Sequence, residues 1–399
     1  MKSTVESNGT ELAASLLASA RELVPTLAKR AALAEQNRSI PAETIADFKR
    51  AGLFRVIQPK RYGGYELDPG IFCQAVTEVG AVCGSSGWVL GVLGVHNWHV
   101  AILPPQAQED VWGADDSIQL STSLAPTGTV EKVDGGFRVK GRWSFSSGCD
   151  HCRWAVLGGI APSASPGEPP DARVFLVPRR DYVIDDNWHV MGLCASGSKD
   201  IVIEDAFVPE YRTHSYRDAF ALNHPGSAIN EAPLYRLPFG LIFTYGIVSP
   251  AIGAAQGALT AFREQAARRI NVRDGSRAVE DPFMQHRLAE AAAEIDAARD
   301  RMLANFAEMM RRARAGAEIP LADRARYRWD SGKAIDRSVN AVDRLFEAAG
   351  GHALFLDNPI QRAWRDVHAM RAHAGNNPER ASFIFARSEF GLPPQDIRF

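Results

Sequence analysis

The spacing of apolar residues changes twice along this 399-residue chain, and that change constrains the fold more than any other feature. Residues 1–113 follow a helical period, residues 114–225 alternate apolar and polar as strands do, and residues 226–399 return to the helical period. Helices, then strands, then helices are typical of an α+β protein. The sequence therefore predicts a small β domain between two helical domains, with domain boundaries near residues 113 and 225.

The clearest strand candidate runs from Phe137 to Phe145, directly after the turn residues Asp134-Gly135-Gly136. Alternation over this segment predicts a half-buried antiparallel strand. Its apolar face would hold Phe137, Val139, Trp143 and Phe145, and its polar face Arg138, Lys140, Arg142 and Ser144. Further strands are expected at 154–160, 174–177 and 201–203.

Two uncharged runs, Val79–Gln108 and Leu237–Phe262, are long enough to cross a membrane. The first contains two histidines and the second is interrupted by two prolines, so we expect helices buried between other helices, and no membrane. An alanine-rich stretch further on carries one apolar stripe at helical spacing, which predicts a bundle helix. The stripe consists of Leu288, Ile295, Met302, Phe306 and Met309.

Charge and cysteine content narrow the function classes. The chain has 45 basic and 47 acidic residues, a net charge of -2. It therefore has no excess of positive charge to neutralise a phosphate backbone, and we expect no binding to nucleic acid. Its five cysteines are too few and odd in number for a secreted disulfide framework, which favours reduced thiols. The polar N-terminus lacks the apolar segment of a signal peptide. We expect a cytoplasmic protein.

Several familiar catalytic motifs are missing. Neither a Gly-x-Gly-x-x-Gly nucleotide motif nor a P-loop occurs. Cys149 and Cys152 have the spacing of a zinc or redox pair, but no second pair of ligands completes a tetrahedron, so we expect no metal. The Ser196–Lys199 loop has the Ser-x-x-Lys spacing of penicillin-binding proteins without their companion motifs. Such a loop can present hydroxyls, including that of Ser198, and backbone N–H groups to a phosphate.

Two polar groups lie in apolar surroundings. Ser146 and Ser147 follow the strand whose inner face holds Trp143, and hydroxyls beside aromatic rings suit a planar heteroaromatic ligand, although a plain strand-end turn gives the same pattern. Histidines form the second group, each a candidate acid or base and each equally explained as a hydrogen-bonded core residue. These histidines are His96, His99, His368 and His373.

Three spaced motifs resemble those of acyl-CoA dehydrogenases, and the likeness spans nearly the whole chain. The motifs are Pro59-Lys-Arg-Tyr-Gly-Gly64, Arg269 after a bundle helix, and Gly350-Gly351 followed by Pro359 and Arg362-Ala-Trp-Arg-Asp366. The resemblance implies a helical N-domain, a β-barrel-like middle domain and a C-terminal four-helix bundle, assembled as a homotetramer. Flavin would lie between the middle domain and the bundle. Arg269 and Gly350-Gly351 would reach the flavin phosphates, one of them across a subunit interface.

One departure from that family is informative. Acyl-CoA dehydrogenases place a catalytic glutamate where this chain has Ala374, and an alanine cannot act as a base. The neighbouring His373-Ala-Gly, the upstream Trp143–His151 string and Gly94-Val-His-Asn-Trp-His99 resemble instead the two-component, reduced-flavin-dependent monooxygenases built on the same fold. Within that family the strings are similar to those of secosteroid phenol hydroxylases and, more distantly, of p-hydroxyphenylacetate hydroxylases.

The resemblance also implies roles for individual residues. His373 would be the base that deprotonates a phenol, Ser147 would hydrogen-bond flavin N5, and His96 would help hold the substrate oxygen. Trp98 and Thr122 would contact the substrate; Thr122 is the middle residue of Ser121-Thr122-Ser123, where the family often has three serines. The remaining residues expected at the cofactor are Trp143, Ser146, Ser198, Arg269, Gly350 and Gly351.

The implied reaction is ortho-hydroxylation of a phenol to a catechol by a C4a-hydroperoxyflavin, formed from reduced FMN or FAD and O2. Without a nicotinamide motif, a separate NAD(P)H:flavin reductase would supply the reduced flavin. Three alternatives stay open on the sequence: oxygenation of nitrogen or sulfur in another aromatic, an acyl-CoA dehydrogenase with a relocated base, and a non-catalytic helical assembly protein.

Overall fold

The computed structural model describes residues 2–163, 170–270 and 275–396. Helices occupy both ends of the chain and strands its middle, so the expected α+β order is confirmed. The N-terminal helices are α1 (Lys2–Asn37), α2 (Ala42–Arg50), α3 (Pro69–Gly80), α4 (Gly84–Ala101) and α5 (Pro105–Trp112).

The described strands form two four-stranded sheets that pack on a shared core. One sheet has the order β1-β4-β5-β8, with β1 and β4 parallel, and the other has the order β2-β3-β7-β6. The strands are β1 (Leu120–Ser123), β2 (Thr129–Val133), β3 (Gly136–Ser146), β4 (Trp154–Ala161), β5 (Asp171–Pro178), β6 (Val183–Asp185), β7 (Lys199–Pro209) and β8 (Thr213–Ser215). Every expected strand is present.

The end of β3 departs from simple alternation. Trp143 pairs with Ile201 but Ser146 pairs with Lys199, so β3 bulges between them, and Phe145 has a φ of +67°. The bulge turns Phe145 outward, where it is 67% exposed, and turns Ser146 inward. The prediction that Phe145 lies on the buried face is therefore wrong.

The C-terminal segment is a helical bundle in which α7 contacts α8, α9 and α10. The apolar stripe predicted for α8 is buried from Ile295 onward, whereas Leu288 is only partly covered. The helices after the sheets are α6 (Tyr216–Phe220), α7 (Phe239–Arg268), α8 (Pro282–Arg314), α9 (Leu321–Ala349), α10 (Pro359–Arg371) and α11 (Pro378–Glu389).

The two uncharged runs form α4 and α7, which pack against each other at the centre of the protein. A Cβ on Gly91 would collide with the backbone carbonyl of Gly246, so glycine lets the two helices approach closely. By length and composition α7 qualifies as a membrane span, yet 94% of its apolar window is buried within the protein. We therefore interpret it as a core helix.

Candidate functional site

A chain of hydroxyl groups begins at Ser147, just after the β3 bulge. The Ser147 Oγ accepts a hydrogen bond from Trp88 Nε1 at 2.9 Å and lies 2.7 Å from Ser198 Oγ, which lies 2.7 Å from Ser196 Oγ. A hydroxyl has two lone pairs and one proton. When Trp88 and Ser198 both donate to Ser147, its own proton is free to donate to a ligand. The structure thus brings the predicted Ser147 and Ser198 together.

The aromatic side chain beside this hydroxyl is not the predicted one. Trp143 has no exposed surface and donates its Nε1 hydrogen to the Gly158 carbonyl inside the β-domain core. The prediction that Trp143 contacts a cofactor is therefore wrong. Phe145 is the exposed ring next to Ser147, and it packs edge-on against Trp188. Simple alternation predicted that Phe145 is buried, because the bulge that exposes its ring has no clear sequence signal.

Ser146 lies fully buried beside Ser147. Its Oγ has no hydrogen-bond partner among the described residues. A buried hydroxyl is normally paired, so an unpaired one calls for an explanation. An acceptor or donor on a bound ligand is one such partner.

His373 lies in the turn after α10 and faces Trp88, with ring centroids 5.5 Å apart. Part of its surface is accessible although it lies deep in the protein, as expected for a residue lining a cleft. Burial, with a smaller effect of Arg328, lowers the pKa of His373 to about 4, so the ring is neutral at physiological pH.

One hydrogen bond fixes the tautomer of His373. The Gly375 backbone N–H donates to His373 Nδ1 at 2.9 Å, so neutral His373 carries its proton on Nε2. A base needs a free lone pair, and the lone pair of this ring is already occupied. In this geometry His373 offers an N–H donor through Nε2, and its predicted role as a base, which needs the other tautomer, stays a prediction.

His96 and His99 form a pair on α4. Their Nδ1 atoms lie 3.4 Å apart, so one ring donates to the other, and His96 Nε2 is buried without a partner among the described residues. Burial lowers the pKa of His96 to about 3, which keeps it neutral. The ring of Phe243 lies 6.2 Å from that of His96 and 6.1 Å from that of His373, so it connects the two histidines.

The other two residues expected at the substrate are both buried. Thr122 on β1 is buried and donates its hydroxyl hydrogen to the Val156 carbonyl, which leaves only its lone pairs for a ligand. Trp98 is fully buried, stacks on Phe239 and donates its Nε1 hydrogen to the Leu234 carbonyl. Direct contact of either residue with substrate stays a prediction.

Asp366 connects the bundle to the hydroxyl chain. Its Oδ1 accepts the Leu193 backbone N–H at 2.6 Å, three residues before Ser196. Burial raises the pKa of this carboxyl to about 7. Asp366 thereby fixes the start of the loop that carries Ser196 and Ser198.

Arg269 and Gly350 lie together, but far from Ser147 and His373. The Arg269 Nη1 donates to the carbonyls of Ala348 and Ala349, directly before Gly350, whose φ of +67° favours glycine. Arg269 caps the C-terminal end of α7, whereas Phe243 lies in its first turns. At 1.5 Å per residue the two positions are about 39 Å apart along the helix. One flavin molecule cannot span that distance.

The surface around Arg269 is open and includes an exposed apolar segment. Leu354, Phe355 and Leu356 are 71%, 63% and 80% exposed. Phe355 and Arg269 line the same groove. A contiguous exposed apolar segment marks an interaction surface.

The cysteine pair has a structural arrangement. Cys149 and Cys152 are buried free thiols that donate to the Gly197 and Gly148 carbonyls, and burial raises their pKa values. Among the described residues, no three His, Cys, Asp or Glu side chains are grouped closely enough to hold a metal ion.

Comparison with known proteins agrees with this geometry. Residues 10–112 match the family described as acyl-CoA dehydrogenase, N-terminal domain, and residues 245–378 match acyl-CoA dehydrogenase, C-terminal domain. The chain is 45% identical to the flavin-dependent monooxygenase, oxygenase subunit HsaA, of Rhodococcus jostii (strain RHA1), over 94% of this chain and 98% of that protein.

Two further relatives carry related descriptions. The FADH2-dependent resorcinol hydroxylase, oxygenase component, of Rhizobium sp. (strain MTP-10005) is 35% identical, over 90% of both chains. The crystal structure of 3-HSA hydroxylase from Rhodococcus sp. RHA1 superposes with a TM-score of 0.93 at 43% identity, covering 96% of this chain and 99% of that one.

The chain therefore belongs to the flavin-dependent monooxygenases built on the acyl-CoA dehydrogenase fold. Within that class it is the oxygenase component of a two-component enzyme that hydroxylates an aromatic substrate. The expected family, fold and enzyme class are confirmed.

Proposed function

We propose that this protein hydroxylates a phenol at the ortho carbon to give a catechol, with a secosteroid phenol as substrate. One observation supports the proposal: Trp88 connects the Ser147 hydroxyl, which we propose faces the flavin, to the His373 imidazole, which we propose faces the substrate. It donates to Ser147 Oγ and lies edge-on against His373. The likeness to HsaA over almost the full length of both chains supports the choice of substrate.

The residues around Ser147 fit reduced FMN or FAD. Ser147 has a proton free to donate, the buried hydroxyl of Ser146 has no partner among the described residues, and Phe145 offers an exposed ring face. When bound, reduced flavin activates O2 and supplies the electrophilic oxygen atom. Ser147 would hold N5, and Ser198 would keep the Ser147 hydroxyl turned toward it.

Two histidines suit a phenol hydroxyl from opposite sides. His373 donates through Nε2, and His96 accepts through Nε2 when its Nδ1 hydrogen is directed to His99. The phenol would donate its hydrogen to His96 and accept one from His373. The contact with His96 draws the proton away from the phenol oxygen and so enriches the ring in electrons, which activates the ortho carbon toward an electrophile. The contact from His373 orients the oxygen and stabilises its negative charge.

The wall of the cleft excludes water. All 18 residues of α4 are buried, and its neighbour α7 contributes the buried rings of Phe239 and Phe243. A dry site strengthens each hydrogen bond to the phenol and protects reactive oxygen from release as peroxide.

Arg269 and Gly350 would bind the flavin phosphates of a second copy of the chain, since they lie about 39 Å from Phe243 along α7. The exposed segment Leu354–Leu356 supports burial of this surface against another protomer. We propose a homotetramer in the cytoplasm, served by a separate NAD(P)H:flavin reductase. The five free cysteines agree with a reducing compartment.

The test is a coupled assay with FMN or FAD, a flavin reductase, NADH and a panel of phenols that includes a secosteroid phenol. Formation of a catechol in proportion to NADH consumed is the expected result. Release of H2O2 without any hydroxylated product across the panel would contradict the proposal. Anaerobic bleaching of oxidised flavin by an acyl-CoA would instead support a dehydrogenase, which Ala374 argues against.

A further inference from the structure

A buried carboxyl group, Asp366 on α10, lies where the bundle meets α4 and the loop after β6. It is 1% exposed, and its Oδ1 accepts the Leu193 backbone N–H at 2.6 Å. Its Oδ2 lies so close to Gly84, the first residue of α4, that a Cβ on this glycine would collide with it. Trp88 lies one helical turn after Gly84, on the same face of α4. Asp366 thus contacts both the helix that carries Trp88 and the loop that begins at Leu193.

The surroundings of Asp366 do little to compensate its burial. An ionised carboxyl in a protein interior is unfavourable unless its contacts offset the loss of water. Arg362 and Arg365 on the same helix pair with Glu35 of α1 at 3.0 and 2.9 Å, and Glu35 opposes their effect on Asp366. The hydrogen bond from the Leu193 N–H is the largest influence that favours the charged form. The carboxylate and this backbone N–H therefore depend on each other.

Leu193 depends on the contact because its backbone is strained. Its φ of +53° and ψ of +32° lie in the left-handed region, which favours glycine. Trp188 supports the same residue by donating its Nε1 hydrogen to the Leu193 carbonyl at 3.1 Å. A Cβ on the preceding Gly192 would collide with the Arg365 carbonyl, so the loop lies directly on α10. The start of the loop is therefore held in place by α10.

Short hydrogen bonds connect the start of this loop to Ser147. The Ser196 backbone N–H donates to the Leu193 carbonyl at 2.9 Å, and the Ser196 carbonyl accepts the Gly148 backbone N–H at 2.9 Å. The hydroxyls of Ser196 and Ser198 continue to that of Ser147, with 2.7 Å for each step. A displacement of the loop would thus move both the backbone after Ser147 and the hydroxyl beside it.

We propose that Asp366 is a positioning residue, which sets the direction of the Ser147 hydroxyl toward the flavin. It acts through the two side chains that contact this hydroxyl, Trp88 on α4 and Ser198 in the loop. This inference rests on the proposed function, in which Ser147 holds flavin N5. The effect of Asp366 on the flavin should therefore vanish once the Ser147 hydroxyl is removed.

The test is a double-mutant cycle with Asp366→Asn, which keeps the shape of the side chain but removes its charge. Dissociation constants for reduced FMN and FAD are measured by anaerobic ultrafiltration at pH 8, because burial raises the pKa of Asp366 to about 7. A charge-assisted hydrogen bond exceeds a neutral one by about fivefold, so Asp366→Asn should weaken flavin binding by about that factor. In the Ser147→Ala background the same substitution should change binding less than about twofold.

A second variant displaces the carboxyl without changing its charge. Gly84→Ala places a methyl group against Asp366 Oδ2 and should cause a similar loss of flavin binding that again requires the Ser147 hydroxyl. The matched control is Asp336→Asn, because Asp336 on α9 pairs with Arg371, the last residue of α10. This control should leave the dissociation constants unchanged.

Two results would overturn the inference. Equal losses with and without the Ser147 hydroxyl would mean that Asp366 serves only the general packing of the bundle. Unchanged flavin binding in both Asp366→Asn and Gly84→Ala would mean that the Leu193 contact does not reach Ser147.

The binding measurement keeps this inference separate from the proposed function. If the wild type binds reduced flavin but hydroxylates no phenol, the proposed function fails, and the binding cycle still decides the role of Asp366. If catechol forms, Asp366→Asn should also lower the ratio of catechol to H2O2 severalfold, and only where the Ser147 hydroxyl is present. Additive effects of the two substitutions on that ratio would contradict the inference.

Discussion

The two ends of α7 carry opposite kinds of site. At its N-terminal end Phe243 lies between His96 and His373, and hydrogen bonds and rings of the same chain complete the cleft. At its C-terminal end the exposed Arg269 and the half-buried Gly350 lie beside the apolar segment Leu354–Leu356. The N-terminal end has the groups that suit chemistry, and we propose that the C-terminal end binds phosphate and another protomer. One helix would then serve two different flavin sites.

The largest effect is expected at the N-terminal end of α7. His373→Ala removes the donor to the phenol oxygen and should lower hydroxylation about 100-fold or more, since positioned acid–base groups contribute at least that much. Flavin binding should be unaffected, and NADH consumption should yield H2O2. The control is His368→Ala, because His368 pairs with Asp343 at the partly exposed surface. Equal losses in both variants would contradict the assignment.

The C-terminal end of α7 should respond in the opposite way: flavin binding should weaken while the yield of product per NADH is unchanged. Arg269→Ala removes a charged group from the proposed phosphate site and should weaken flavin binding roughly tenfold or more. Product formed per NADH at saturating flavin should stay at the wild-type value. Arg263→Ala, an exposed change two turns earlier on α7, is the matched control. If the product formed per NADH fell at saturating flavin, flavin binding and catalysis would not be separated between the two ends of α7.

A smaller effect is expected at Ser198, which would contact Ser147 and not the flavin itself. Ser198 lies 2.7 Å from Ser147 Oγ, so Ser198→Ala should misdirect the Ser147 hydroxyl. The loss of one neutral hydrogen bond should lower the ratio of catechol to H2O2 about fivefold. Ser147→Ala should cost more than this. The ratio of catechol to H2O2 in the two variants checks the order, and the reverse order would argue against Ser147 as the flavin contact.

The smallest effect concerns stability. Burial lowers the pKa values of His96 and His373 to about 3 and about 4, against roughly 6.5 in an unfolded chain. Below pH 6.5 the unfolded state therefore binds more protons than the folded state. As a result, the free energy of unfolding decreases as the pH is lowered from 6.5 to about 4. Each histidine contributes at most about 1.4 kcal/mol per pH unit.

Urea unfolding between pH 7 and 5 measures this slope. His96→Gln should make the slope shallower, whereas His286→Gln, exposed on α8, should leave it unchanged. An identical slope in the two variants would show that His96 is not buried in its neutral form.

Much of the fold follows from periodicity, and the site follows only in part. Alternation predicted β3 but placed Phe145 inside, because one bulge reverses every later side chain. The resemblance named Ser147 and His373, which are far apart in sequence, yet neither pattern nor motif could reveal that Trp88 joins them. The tautomer of His373 depends on a single backbone N–H from Gly375, which only coordinates can show.

The central claim is that each flavin site combines the N-terminal end of α7 from one protomer with the C-terminal end of α7 from another. Co-expression of His373→Ala and Arg269→Ala chains tests it directly, because a mixed pair then contains one site with both wild-type halves and one with neither. At limiting flavin, the mixed oligomer should exceed the average activity of the two parent variants severalfold. Activity equal to that average would contradict the claim and place both ends at the same protomer's flavin.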